Sequence, residues 1–155
     1  MTSRVEVGSR VDDFALPDET GTLRRLSDLL AEGPVVLFFY PAALTPGCTA
    51  EACHFRDLAA EFAAVGAQPV GISGDPVDRQ QEFAGRHTLG FPLLSDEDGT
   101  VREYFGVKRG FSIAPTKRVT FVIGEDRTVL EVVRSELRMS AHADRALATL
   151  RARRS

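Results

Sequence analysis

Cys48 and Cys53 are the only thiols in the chain, and both fall within Pro-Ala-Ala-Leu-Thr-Pro-Gly-Cys-Thr-Ala-Glu-Ala-Cys, residues 41–53. Thr45 followed by Pro46 reads as a helix cap and first helical residue, which places Cys48 in the first turn. Backbone N–H groups are unpaired there and the helix dipole is positive, so a thiolate is favoured over a thiol. The thiolate is the nucleophile, and this position makes a reactive sulfur near neutral pH. Cys53 lies five residues further along the same helix, an advance of ~7.5 Å and a turn ~140° past one revolution. The two Cα atoms would then stand roughly 8–9 Å apart on different faces, whereas a disulfide needs them within about 7 Å. A bridge between these two sulfurs, if one forms, therefore requires at least the first turn to unwind.

Other uses of the pair are less consistent with the residues. Either cysteine could be an inert filler on an apolar stripe. Cys48, Cys53 and His54 offer two thiols and an imidazole to a metal, but the spacing is not a zinc knuckle. No second cysteine pair exists, and His87 and His142 stand far off in sequence. A Cys-x-x-Cys exchange motif is absent, and the glycines fit neither a phosphate loop nor a dinucleotide fingerprint. Thr45 can do more than cap, because its hydroxyl both donates and accepts and could hold an oxygen substrate beside the sulfur. A thiolate also needs a nearby cation. Arg118 is the candidate, a charge at the mouth of the apolar strand Val119-Thr120-Phe121-Val122-Ile123; the alternative is a surface arginine at a strand edge.

Alternating strands and helices must position these groups. Phe14–Leu26 reads as a hairpin turning at Asp18-Glu19-Thr20-Gly21, and Ser27 as the cap of a helical turn through Leu30. Val35–Tyr40 is a continuous apolar run suited to a central strand covered on both faces. The spacing of Cys48, Ala52, Phe55, Ala59 and Phe62 predicts one helix from Pro46 to Val65, stopped by Gly66. Ala67–Ser73 reads as a second buried strand. Asp75 as cap and Pro76 as first residue open a helix to about Arg86. A strand at Phe91–Ser95 and a helix at Gly99–Phe105 follow. A hairpin pairs Lys117–Ile123 with Thr128–Val133, and Ser140 caps a last helix to about Arg151. The fold class is α/β, a mixed central sheet flanked by helices, with the cysteines at the carboxyl end of a central strand, where such sheets bind ligands.

The 155 residues are expected to form one domain, 1–155. A net charge of −3, with 43% hydrophobic and 26% charged residues, points to neither nucleic acid nor an anionic membrane as partner. Arg151, Arg153 and Arg154 read as a solvated helix end. Residues 1–6 lack the apolar core of a signal peptide, and the longest apolar run is too short to span a bilayer. A cytoplasmic protein is expected, in which a disulfide is catalytic rather than structural.

The pattern Pro41-x-x-x-Thr45-x-x-Cys48 resembles the active-site signature of peroxiredoxins, the cysteine-based peroxidases. The longer stretch Tyr40-Pro41 … Thr45-Pro46-Gly47-Cys48-Thr49-x-Glu51-Ala52-Cys53-x-Phe55-Arg56-Asp57 is similar to the bacterioferritin comigratory protein, or peroxiredoxin Q, branch. The similarity continues through Gly71-Ile72-Ser73-x-Asp75, Phe91–Asp96, Tyr104–Val107 and Arg118-x-Thr120–Ile123. The resemblance implies a thioredoxin-like fold with an N-terminal hairpin extension. It implies Cys48 as peroxidatic cysteine, oxidised to sulfenic acid by hydrogen peroxide or an organic hydroperoxide. Thr45 would bind the peroxide, Arg118 would stabilise thiolate and transition state, Pro41 would shield the sulfur, and Glu51 would orient the arginine. Cys53 would resolve the sulfenic acid as an intramolecular Cys48–Cys53 disulfide, recycled by thioredoxin or a similar dithiol protein. No metal or organic cofactor is implied, and a monomer is the expected state.

Two departures stand out. Relatives often carry a charged pair after the proline, where this chain has Ala42-Ala43 and then Leu44; an apolar rim would favour organic hydroperoxides. Gly124 stands where relatives often have Asp, which reads as turn variation. The competing functions are a thiol-disulfide reductase and a redox-sensing, thioredoxin-like binding module.

Overall fold

The computed structural model describes residues 5–108 and 116–154; residues 1–4, part of the stretch read for a leader, lie outside them. Val35–Phe39 (β3) is wholly buried and occupies the middle of a five-stranded sheet. The sheet order is β5-β4-β3-β6-β7, where β4 is Gln68–Ser73, β5 Leu93–Ser95, β6 Val119–Ile123 and β7 Val129–Arg134. β3 pairs parallel with β4, and β4 with β5. β6 runs antiparallel to both β3 and β7. The mixed sheet expected from the strand pattern is what forms.

A buried strand sends alternate side chains to opposite faces. From β3, Val36 and Phe38, with the following Tyr40, enter one core with Phe55, Phe62, Phe83, Ala143 and Leu147. Val35, Leu37 and Phe39 enter the other, with Leu26, Leu30, Val101 and Phe105. The first core is closed by Pro46–Asp57 (α2), Ala59–Ala64 (α3), Val77–His87 (α4) and Met139–Arg154 (α6); the second by Leu26–Leu30 (α1) and Thr100–Tyr104 (α5). Phe55 stacks on Phe38 with ring centroids 4.3 Å apart, fixing α2 to the central strand; such pairs add about 0.5–1.5 kcal/mol beyond their buried area. The hairpin of Ala15–Pro17 (β1) and Leu23–Arg25 (β2) forms a separate two-stranded sheet.

Local details correct the expected boundaries. The helix drawn from Pro46 to Val65 is two, broken at Leu58 (φ −98°, ψ 15°), whose N–H is shared between the His54 and Phe55 carbonyls. Leu58 packs against the core while Ala59 is exposed, because leucine has far more apolar surface to bury than alanine. Ser27 is not the cap of α1; its N–H and hydroxyl both donate to the Asp13 carboxylate. Asp75 is not the cap of α4 either, since Pro76 holds that position and Val77 opens the helix. α6 begins at Met139, so Ser140 lies inside its first turn, and it continues to Arg154. In the turn between β6 and β7, Arg127 takes the left-handed conformation (φ 71°).

Candidate active site

β3 ends at Phe39, and the loop 41–45 carries the chain into α2. The antiparallel register Phe39↔Val119 sets the start of β6 against the end of β3. Arg118, one residue before β6, is thus delivered to the sheet end where α2 begins, although 70 residues separate it from Cys48. Thr45 occupies the N-cap position (φ −84°, ψ 154°) and Pro46 the first turn, as expected. The Thr45 side chain does not cap. Leu44 takes a left-handed conformation (φ 68°), and the Thr45 hydroxyl donates backwards to the Ala42 carbonyl at 2.8 Å. A left-handed non-glycine residue costs of order 1–3 kcal/mol and persists only where its surroundings hold it. Here the holding group is Asp75: its Oδ2 accepts the Ala43 N–H and the Ser73 hydroxyl, each at 2.7 Å. Gln80, fully buried, donates to Ser73 Oγ and the Leu94 carbonyl and accepts the Tyr40 hydroxyl. Asp75 therefore serves the loop rather than a helix end.

Cys48 is buried and its thiol is free. Arg118 Nη2 reaches its Sγ at 3.3 Å, while Nη1 donates to Glu51 Oε1 at 2.6 Å. Cys48 and Glu51, three residues apart on α2, present one helix face to the arginine. Burial works against the guanidinium charge, but Glu51 and Cys48 outweigh it and hold Arg118 above its ordinary value. Burial pushes the Glu51 carboxyl up to about 8 despite the arginine beside it. Gly47 makes room for this contact, since a Cβ there would stand 3.3 Å from Arg118 Nη2. The Arg118 backbone N–H donates to Glu136 Oε2 at 3.0 Å.

The structure thus brings Cys48, Glu51 and Arg118 together. Thr45 and Pro41 lie in the loop directly before them, and both are half-buried, as are Ala42 and Leu44. Cys53 is half-buried on α2, packed against the core edge, and its thiol is also free. His54 turns to Asp144 of α6 at 2.8 Å, and among the described residues no cluster of His, Cys, Asp or Glu could hold a metal ion. Sequence reasoning missed Asp75, Glu136 and His142. His142 was set aside as remote, yet its Nδ1 lies 3.5 Å from Glu51 Oε2. The available signal was a histidine beside the apolar run Ala143, Ala146, Leu147 and Leu150, all of them buried.

A cysteine in a helix's first turn with a guanidinium 3.3 Å from its sulfur, at the end of a mixed sheet, is an arrangement suited to thiolate chemistry. The comparisons agree. The model of the AhpC/TSA family matches residues 7–132, and the chain belongs to that family, among its peroxiredoxins of the bacterioferritin comigratory protein and peroxiredoxin Q type. The crystal structure of peroxidoxin BcpB from Mycobacterium tuberculosis is 64% identical, with a TM-score of 0.95 over 98% of this chain and all of that one. Chloroplastic peroxiredoxin Q of Sedum lineare is 38% identical over 96% of this chain and 79% of its own. A bacterioferritin comigratory protein of Xanthomonas campestris, studied for its alkyl peroxide reduction activity, is 31% identical with a TM-score of 0.83 over 92% of each chain. The protein is a peroxidase of this class, and no helix among the described residues is long and apolar enough to cross a membrane.

Proposed function

We propose that Cys48 is the peroxidatic nucleophile and Cys53 its resolving partner. The observation that carries this reading is the 3.3 Å contact of Arg118 Nη2 with Cys48 Sγ. The Cys48 thiolate attacks the terminal oxygen of a hydroperoxide. The S–O bond forms, the O–O bond breaks, and the departing alkoxide or hydroxide takes a proton from solvent, leaving Cys48 as sulfenic acid. Arg118 offsets the negative charge that spreads over the breaking bond. Because the Thr45 hydrogen already points to the Ala42 carbonyl, its lone pairs are free to accept the hydroperoxide O–H. Pro41 limits access of water, and Glu51 orients the guanidinium.

Cys53 then attacks the sulfenic sulfur, releasing water and closing the disulfide. Both cysteines lie in the unbroken helix α2, so the first turn opens at this step. Thioredoxin or a similar dithiol protein reduces the bridge. Residues 1–155 act as one thioredoxin-like peroxiredoxin domain, a cytoplasmic monomer. The half-buried rim of Pro41, Ala42 and Leu44 suits organic hydroperoxides alongside hydrogen peroxide.

Stopped-flow oxidation of the reduced protein tests this. Expected results are oxidation orders of magnitude faster than a free thiol, no reaction for Cys48→Ser, and arrest of Cys53→Ser at sulfenic acid. Cumene hydroperoxide should react at least as fast as hydrogen peroxide; a strong preference for hydrogen peroxide removes the rim argument. Oxidation at the pace of free cysteine would turn the reading towards a disulfide reductase or redox sensor.

A further inference from the structure

We infer that His142 is a positioning residue of the peroxidatic site, which keeps a proton on the Glu51–His142 pair and so leaves the Arg118 charge to the Cys48 sulfur. The inference rests on Cys48 being the peroxidatic cysteine. It starts from a polar atom without a hydrogen-bond partner. Glu51 is fully buried; its Oε1 accepts from Arg118, but its Oε2 accepts from no donor among the described residues. Nδ1 of His142, also fully buried, stands 3.5 Å from that oxygen.

The state of that imidazole follows from its partners. His142 Nε2 lies 2.8 Å from the Ser135 carbonyl, which only accepts, so Nε2 carries a hydrogen. Burial pushes the ring below its ordinary value; the Ser135 contact opposes this and Arg118 reinforces it. A neutral ring with Nε2–H leaves Nδ1 as a bare lone pair. That lone pair accepts the Thr120 hydroxyl at 2.8 Å, with Glu51 Oε2 beside it at 3.5 Å. A carboxylate there would set two unprotonated acceptors against each other in a dry environment. A protonated Oε2 has a hydrogen to direct at Nδ1 as a second, longer donor beside Thr120.

Charge balance gives this proton a role. With Cys48 as thiolate and Glu51 as carboxylate, Arg118 would face two buried anions and the cluster would carry a net negative charge, which burial penalises. One proton on the pair makes the cluster neutral with the thiolate present. The other charges around it come from each packed element: Arg118 at the mouth of β6, Glu136 in the loop before α6, and Arg145 on α6 itself. Glu136 is exposed and Arg145 pairs with Glu131, so neither supplies the missing compensation inside the cluster. As pH rises through the ionisation of the pair, Glu51 becomes a carboxylate and takes over Arg118. Cys48 reactivity should then fall, giving the rate a descending limb on the alkaline side.

The experiment is NMR of the reduced protein labelled with ¹⁵N-histidine, from pH 6 to 10, with the His142 signals identified by their loss in His142→Gln. The expected result is an Nε2–H ring whose Nδ1 shift moves through one titration with a midpoint near 8. That movement disappears in Glu51→Gln, which cannot ionise. In parallel, the rate constant for hydrogen peroxide should descend over the same pH range in the wild type and not in Glu51→Gln. His142→Gln should lower that midpoint by about one unit, which leaves roughly half of the Glu51 carboxyls protonated at pH 7 and slows oxidation there about twofold. A His142 Nδ1 shift that is flat from pH 7 to 9, or that titrates unchanged in Glu51→Gln, overturns the inference. If His142→Gln fails to fold, the comparison of wild type with Glu51→Gln still decides. Slow oxidation of the wild type together with a coupled titration would refute the peroxidase assignment of Cys48 while leaving the shared proton standing.

Discussion

Two arginines are buried to the same extent, Arg102 and Arg118, each 6% exposed, and they are buried differently. Arg102 is closed. Its Nε donates to Asp96 Oδ2 at 3.0 Å, Nη2 to the Asp96 carbonyl at 2.8 Å and Nη1 to Thr116 Oγ1 at 3.2 Å. Every nitrogen ends on an oxygen with no further chemistry. Arg118 is open. One of its terminal nitrogens holds Glu51, the other rests on a sulfur, and Nε, though buried, donates to nothing among the described residues. A buried ion pair with every nitrogen bonded to oxygen holds elements together; one that spends a donor on a thiol and leaves another nitrogen idle is, on the proposed function, available to the reaction. Each arginine has a glycine beneath it, Gly74 under Arg102 and Gly47 under Arg118.

Replacing each arginine by methionine should separate the two roles most sharply. Arg118→Met should slow Cys48 oxidation by roughly 10²–10³, the usual loss when a transition-state donor is removed. Its thermal stability should change little, because Glu51 already tends towards its neutral form. Arg102→Met should do the reverse. Asp96, fully buried, loses its cation, and denaturant unfolding should show a loss of about 3–5 kcal/mol, with the oxidation rate of the folded fraction intact. An Arg118→Met that unfolds the protein, or an Arg102→Met that abolishes the rate, would dissolve the comparison.

The glycines give a smaller version of the same contrast. A Cβ at residue 47 presses on the guanidinium that touches the sulfur, so Gly47→Ala should cut the oxidation rate about tenfold; displacements of this scale at a reacting centre are costly. A Cβ at residue 74 would come within 2.8 Å of Arg102, so Gly74→Ala should destabilise by about 1–3 kcal/mol, as overpacking does, and leave the rate alone. The smallest effect is expected at Thr116. Thr116→Val strands one Arg102 donor and should cost about 1 kcal/mol in a denaturant titration, with peroxide kinetics unaltered.

The same contrast shows what the chain discloses before it folds. The start of α2 was legible because it is local: Thr45, Pro46 and Gly47 are consecutive, and their backbone preferences act over one turn. The central strand was legible because an unbroken apolar run has few other destinations. The direction of the Thr45 hydroxyl was not, since it depends on Leu44 adopting a left-handed conformation that leucine alone does not favour, held by a carboxylate 32 residues from the Ala43 N–H that it accepts. Asp75 was misread for the related reason that an Asp-Pro pair is a helix opening in isolation, while the buried Ala43 N–H that needed an acceptor belongs to another segment. His142 was invisible because its value depends on the rotational setting of α6 against α2. Pairing across elements, unlike capping within one, leaves little mark on sequence spacing.

The antiparallel pairing of β3 with β6 has a consequence for the life of the chain before it is complete. The sulfur and its cation meet only when the strand preceding one is zipped to the strand following the other. During synthesis, Cys48 emerges long before Arg118 exists, and through that interval its sulfur has no arginine beside it. On the proposed function, its reactivity then waits on a long-range closure of the sheet, and the scaffold that governs its oxidation is in place first.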